Sequence, residues 1–183
     1  MLSQRGRYAL KAMLDLAKHD GEARKVISIS VDQEIPRKFL EAIMSDLRRA
    51  GLVEGIRGRQ GGYRLARPAD LVTFGEVMRI TDGPLSLVTC ASRTSYKRCD
   101  DCHDEATCAL RRVFGVVRNK VSAILDHTTL AMALRAMGDF IKVLSQGGAR
   151  GGGLEKLRRA SPDHVDTVTL EPRISAPISK RAH

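Results

Sequence analysis

All four cysteines of the 183-residue chain fall between Cys90 and Cys108, with eight, two and five residues between successive thiols and His103 directly after the third. Thiolates crowd in sequence when several sulfurs must reach bonding distance of one soft metal or one iron–sulfur cluster. A disulfide staple would instead need an oxidising compartment. The N-terminal stretch MLSQRGRYALKAMLDLAKHD lacks the uncharged apolar core of a secretory signal. A third reading is a thiol redox pair, Cys99 and Cys102, two residues apart. Asp100 and Asp101 stand against it, because neighbouring carboxylates suppress the thiolate, and the strand–helix–strand context of such motifs is absent. The segment therefore reads as a metal or cluster site, with structural zinc as the alternative to iron–sulfur.

Charge supplies the second constraint. The formal net charge is +10, and a small basic protein draws polyanions, nucleic acid above all. The excess is localised: residues 35–67 hold eight Arg or Lys against three acids, half of the surplus in under a fifth of the length. A hydrophobic content of 43% suffices for one compact core built without Trp. No apolar run approaches the roughly 20 residues that span a bilayer, so a cytoplasmic protein without membrane partner is expected.

The elements that must position these groups follow from periodicity. Ser3 can cap a helix over residues 3–19, whose Ala9, Leu10, Met13, Leu14 and Ala17 repeat at helical spacing before Gly21. A short, weakly patterned helix fits 28–34. Pro36 suits the first turn of the next helix, 36–50, which would bury Phe39, Leu40, Ile43 and Leu47 and stop at Gly51. Its solvent stripe of Lys38, Glu41, Ser45 and Arg48, with Arg37 beside it, is what the second helix of a helix–turn–helix offers to base edges.

Two β-prone pieces, Leu52–Ile56 and Tyr63–Ala66, then flank a loop of glycine and arginine. A hairpin behind a recognition helix is a wing. Arg57 and Arg59 would meet phosphates or a minor groove, and Gly58, Gly61 and Gly62 would allow close approach to the backbone. The loop lacks the Gly-Lys-Ser/Thr ending and following helix of a nucleotide-binding loop. Thr73 and Glu76 match a capping box for a helix that turns Phe74, Val77 and Ile80 inward and ends at Asp82-Gly83-Pro84.

From about Ala106 to Leu134 runs the longest helical pattern. Leu110, Val113, Phe114, Val117, Val121, Ile124, Leu125 and Thr128 lie on one stripe, which predicts pairing with a second copy. A further short helix fits Ala131–Leu144, and the glycine-rich, charged sequence after Gln146 predicts a disordered tail.

In this order the chain resembles the Rrf-type winged-helix regulators, the family that includes IscR, NsrR and RirA. The resemblance rests on GRYALKAMLDLA at 6–17, IPRKFLEAIMSDLRRAGLV at 35–53, RGRQGGYRLARP at 57–68, and the DGPL, cysteine-loop and CALRRVF sequence through Phe114. HTTL at 127–130 resembles the end of the family's long helix. The match spans about residues 3–135. It implies a homodimeric DNA-binding regulator, more often a repressor, whose cysteine loop ligates a 2Fe–2S or 4Fe–4S cluster that senses iron, redox state or nitric oxide. There are departures. Residues 26–35 are two or three residues shorter than the family's usual first helix of the helix–turn–helix. Arg111 stands where one group has a histidine ligand, and Arg7 where another supplies a carboxylate. The resemblance therefore implies a ligand set of Cys90, Cys99, Cys102 and Cys108, of which Cys99 matches least well; His103 is the reserve.

The expected architecture is mainly α with a small β-hairpin wing. Residues 1–84 form the winged helix–turn–helix head, 85–108 the cysteine-rich cluster loop, 109–145 the dimerisation helix and short C-terminal helix, and 146–183 the tail. Arg37, Lys38, Glu41, Ser45, Arg48, Arg57, Arg59, Gly61 and Tyr63 are the expected DNA-binding residues. The expected partners are a palindromic duplex operator and a second copy, with no catalysis and no small-molecule substrate.

Overall fold

A computed structural model describes residues 2–19, 21–59 and 61–137 of the protein. The chain divides into Met1–Phe140 and Ile141–His183. The expected tail, and the end of the short helix expected over Ala131–Leu144, lie outside the described residues.

Helix α1 (Gln4–Lys18) starts where the Ser3 hydroxyl accepts the Gly6 N–H at 3.0 Å, replacing a partner the first turn lacks. Ala9, Leu10, Met13, Leu16 and Ala17 share its buried face. Helix α2 (Val26–Asp32) buries only Ile29. The turn after it passes through Glu34 at φ 54°, a left-handed position unusual for a side chain larger than Asn. Two bonds secure that turn: Ile35 N–H to the Ser30 carbonyl at 2.9 Å, and the Ser30 hydroxyl to the Ile35 carbonyl at 2.6 Å.

Helix α3 (Arg37–Arg49) begins directly after Pro36 and gives way to Gly51 at φ 74°. It buries Leu40, Ile43, Met44 and Leu47. Phe39, expected inside, is 41% exposed, its ring edge-on to Tyr8 with centroids 5.8 Å apart. The helical wheel explains the exchange. At 100° per residue Phe39 sits roughly 90° from the middle of the buried face and Met44 only about 50°.

Strands β1 (Val53–Ile56) and β2 (Gly62–Leu65) form an antiparallel hairpin with Val53 opposite Leu65 and Ile56 opposite Gly62. Tyr63 and Leu65 pack against the core, and Arg64 pairs across the ladder with Glu54 at 2.5 Å. The hairpin has a third edge: Arg24 and Tyr63 exchange both backbone hydrogen bonds at 2.8 Å.

Helix α4 (Phe74–Thr81) opens on the expected reciprocal cap, Glu76 N–H to the Thr73 hydroxyl at 3.2 Å and Thr73 N–H to the Glu76 carboxylate at 3.0 Å. Burial pushes the Glu76 carboxyl up, but the Thr73 N–H and the Arg67 guanidinium outweigh it and hold the group below its ordinary value.

Helix α5 (Ala109–His127) stops before the expected Leu134. Thr128 takes extended backbone and its carbonyl accepts the Phe74 N–H at 2.9 Å, while Leu130 N–H reaches the Val72 carbonyl at 3.0 Å. The chain thus pairs with the strand-like entry to α4 before helical turns resume over 130–137. Thr128, expected on the apolar stripe, marks this break. Two adjacent β-branched threonines favour the extended form there. Among the described residues, no helix is long and apolar enough to cross a membrane.

One polar cluster pins these pieces. Asp15, only 3% exposed, accepts from Arg24 Nε at 3.1 Å and Gln33 Nε2 at 3.2 Å, and Arg24 also pairs with Asp32. Burial pulls the Arg24 guanidinium down, but the hydrogen bonds and charges of both aspartates prevail and hold it above its ordinary value. Arg24→Ala leaves a buried carboxylate without its cation, so urea unfolding of this variant is expected to show a loss of about 3 kcal/mol. A loss below about 1 kcal/mol, the scale of an exposed pair, would mean that the cluster is dispensable.

Candidate nucleic-acid interface and thiol loop

The buried face of α3 fixes what the other face must show. Arg37, Lys38, Glu41, Ser45 and Arg48 are all exposed there, and Arg37 Nε donates to Glu41 at 2.8 Å. The C-terminal end of this stripe meets the wing, for a Cβ on Gly55 would lie 3.9 Å from Arg48 Nη1. Arg57 and Arg59 are exposed in the connecting turn, on either side of Gly58 at φ 107°. Arg48 of α3 therefore lies against the first strand of the wing, and Arg57 and Arg59 stand exposed in the turn beyond it.

The glycines of the turn divide by role. Gly58 has open space around it, as an approach to an external backbone requires. A Cβ on Gly61 would lie 2.3 Å from the Ile56 carbonyl oxygen, and one on Gly62 2.3 Å from that of Arg24. These two serve close packing inside the wing. Tyr63 is half-buried with its ring against the core and its backbone on Arg24. Gly61 thus closes the turn, its N–H on the Gly58 carbonyl at 2.9 Å, and Tyr63 lies within β2.

Beyond Gly83 the chain runs irregularly, with one 3-10 turn at Thr89–Ala91 that buries Cys90. Cys99 and Cys102 are half-buried, and Cys108 stands at the start of α5. All four thiols are free, Cys90 buried and the other three half-buried. Among the described residues no three His, Cys, Asp or Glu side chains converge as a metal-holding group, and His103 is exposed.

The nearby Cys90 thiol, then burial, Asp101 and Cys108, hold the Cys99 thiol above its ordinary value. For Cys102 burial leads, Cys108 adds to it, and Arg98 opposes. Four soft donors in one loop of nineteen residues are the donor chemistry that a thiolate-ligated group takes.

Arginines fasten this loop. Arg111 Nε donates to the Cys90 carbonyl at 3.1 Å, Arg118 to that of Ala91, and Arg98 to that of Cys102 at 2.8 Å. The Arg111 guanidinium also lies 3.4 Å from Glu105 and 5.9 Å from the Tyr96 ring centroid. Arg111 thus binds the loop's backbone. Helix α5 is in turn fastened to α4, since Arg79 meets Asp126 end-on with two bonds of 2.7 and 2.8 Å. That guanidinium holds the Asp126 carboxyl below its ordinary value against the opposing effect of burial. Gly75 makes the room: a Cβ there would sit 2.0 Å from Asp126 Oδ1. Neither Arg79 nor Asp126 stood out in the sequence, because 47 residues separate them. Outward from this joint, Leu110, Val113, Val116 and Ile124 leave an apolar strip of α5 uncovered.

A helix–turn–helix with a hairpin wing and a basic outer face defines a winged-helix DNA-binding protein. The model of the family described as "Rrf2: Iron-dependent Transcriptional regulator" matches residues 2–136. The chain belongs to this family, which comprises transcriptional regulators and not enzymes. It is 41% identical over 148 residues to an rrf2-like HTH-type transcriptional regulator of Rhodobacter capsulatus, covering 79% of this chain and 99% of that protein. It is 33% identical to the HTH-type regulator IscR of Photobacterium profundum, covering 73% and 75% of the two chains. Among solved structures, CymR, the global cysteine regulator of B. subtilis, superposes with a TM-score of 0.61 at 35% identity, covering 73% of this chain and 95% of that one. T. potens IscR gives a TM-score of 0.58 at 32% identity, covering 74% and 86%.

The raised thiols predict slow alkylation of metal-free protein at neutral pH. Mass-spectrometric mapping with iodoacetamide should show Cys99 and Cys102 gaining reactivity only above the pH at which a free cysteine does, since their thiolates form later. Asp101→Asn should move the Cys99 profile to lower pH. A Cys99 profile coinciding with free cysteine would contradict the described environment.

Proposed function

We propose that the protein is a homodimeric cytoplasmic transcription regulator that binds a palindromic duplex operator, with occupancy governed by an iron–sulfur cluster held by Cys90, Cys99, Cys102 and Cys108. One observation carries this reading: an unbroken line of arginine bonds leads from the thiol loop to the DNA-binding head. Arg111 and Arg118 of α5 hold the backbone of Cys90 and Ala91, and Asp126 of the same helix holds Arg79 of α4. When bound, the cluster would supply iron–thiolate bonds and a centre that responds to redox state, nitric oxide or iron supply. A loop pulled together by four ligated sulfurs bears on Arg111 and Arg118, and through α5 on the pose of the head. The effect on DNA equals the difference in affinity between the two poses and no more.

On the DNA side, Lys38, Glu41 and Ser45 face base edges, with Arg37 paired to Glu41. Arg48, Arg57 and Arg59 bind phosphates or the minor groove. The uncovered strip through Leu110, Val113 and Ile124 pairs with its copy and sets the separation of two recognition helices, as a two-fold operator requires.

Anaerobic absorption with native mass spectrometry of iron-replete protein tests the reading. A brown, cluster-bearing dimer that loses its colour on replacing the cysteines by serine is the expected result. Colourless protein with one zinc per chain would install a structural metal instead, and metal-free protein whose operator affinity ignores those replacements would end the sensing account. Two variants test the remaining parts. Arg59→Ala should weaken DNA binding across sequences and reduce the slope of log affinity against log salt by about one, as loss of one phosphate contact does. Ile124→Glu should shift native mass from dimer to monomer; an unchanged dimer would place the interface elsewhere.

A further inference from the structure

On the side of α5 away from Leu110, Val113 and Ile124, a cleft of about 410 Å³ opens between that helix, α4 and residues 84–94. Its volume falls within the range of small-ligand sites. Its charge is one-sided. Arg79, Arg93 and Arg118 line it against a single carboxylate, Asp126, which Arg79 already matches. Arg93 and Arg118 have no carboxylate partner among the described residues; Arg118 donates to the Asn119 amide oxygen at 2.7 Å and to the Ala91 carbonyl, and Arg93 makes no side-chain hydrogen bond there. Thr94 and Ser122 add hydroxyls to the same lining. Even Arg79 keeps donors in reserve, because its end-on pair with Asp126 engages only two of its five N–H groups.

Three guanidiniums lining one cleft against a single carboxylate leave a surplus of positive charge that suits a compact dianion. We propose that this cleft is a binding site for a small dianionic metabolite, a phosphate monoester or a dicarboxylate, held chiefly by Arg93 and Arg118. The site neither requires the cluster nor coincides with the DNA-binding face. It adjoins both couplings described above. Arg118 donates to Ala91, next to Cys90, and Arg79 joins α4 to α5. An anion drawing on these groups therefore competes with the bonds that set the loop and the head, and metabolite binding is linked to their pose.

Isothermal titration calorimetry on the full chain tests the site, with inorganic phosphate, glycerol 3-phosphate and succinate as probes and glycerol as the neutral control. One saturable site per chain is expected for at least one dianion and none for glycerol. Saturation by glycerol 3-phosphate alone assigns the phosphate-monoester class; saturation by succinate alone assigns the dicarboxylates. Arg93→Gln and Arg118→Gln should each weaken binding about tenfold or more, the loss of a charge-assisted contact, while Lys18→Gln on a remote basic surface leaves it unchanged. Arg118→Gln also loosens the loop, so the deciding variant is Arg93→Gln, which removes no hydrogen bond among the described residues. Wild-type affinity in Arg93→Gln, or no saturable binding of any dianion at millimolar concentration, overturns the proposal.

Discussion

The DNA-binding head depends on one arginine held between two carboxylates. Arg24 ties α1 through Asp15 and α2 through Asp32, and its own backbone supplies the third edge of the wing through Tyr63. Helix α2 is too short, with a single buried residue, to hold its place by apolar packing alone. An ion pair at low exposure is a weak source of net stability but a strong source of position, because either charge left alone is costly. The angle between helix–turn–helix and wing, and hence the shape presented to DNA, is set electrostatically where the core is thin.

Arginine repeats this role further along. Arg98, Arg111, Arg112 and Arg118 all spend donors on main-chain carbonyls of the loop. A segment with so little regular structure leaves carbonyls unpaired, and guanidiniums satisfy them without imposing a helix or strand. The loop's backbone is thereby tethered while its sulfurs remain unclaimed by the scaffold.

What was legible in the sequence was what neighbours decide. Ser3, Pro36, Gly51 and the Thr73–Glu76 box each act within a turn of their own position, so helix ends could be read from residue types alone. The hairpin was visible through glycine and β-propensity, and the clustered cysteines and the basic stripe of α3 through spacing. The exchange of Phe39 for Met44 was hidden because both are apolar and only the direction of the core chooses between them. The break at Thr128 was hidden because Ile124 and Leu134 continue a helical pattern across it; the partner that ends the helix, Val72 to Phe74, lies more than fifty residues upstream. Asp15, Arg24 and Asp126 read as ordinary surface charge, and nothing local signals that they are matched across the fold. Gly61 and Gly62 were legible as necessary glycines, but the backbone they accommodate is the protein's own.

The break before Leu130 joins α5 to the body by main-chain hydrogen bonds, whose strength is indifferent to which side chains the joint carries. With 19 residues beyond it, the helix is a lever of about 28 Å, so a tilt of about 5° at the joint sweeps the Cys108 end through roughly 2.5 Å. A shift of that size at the sulfur end thus corresponds to only a small rotation at the joint.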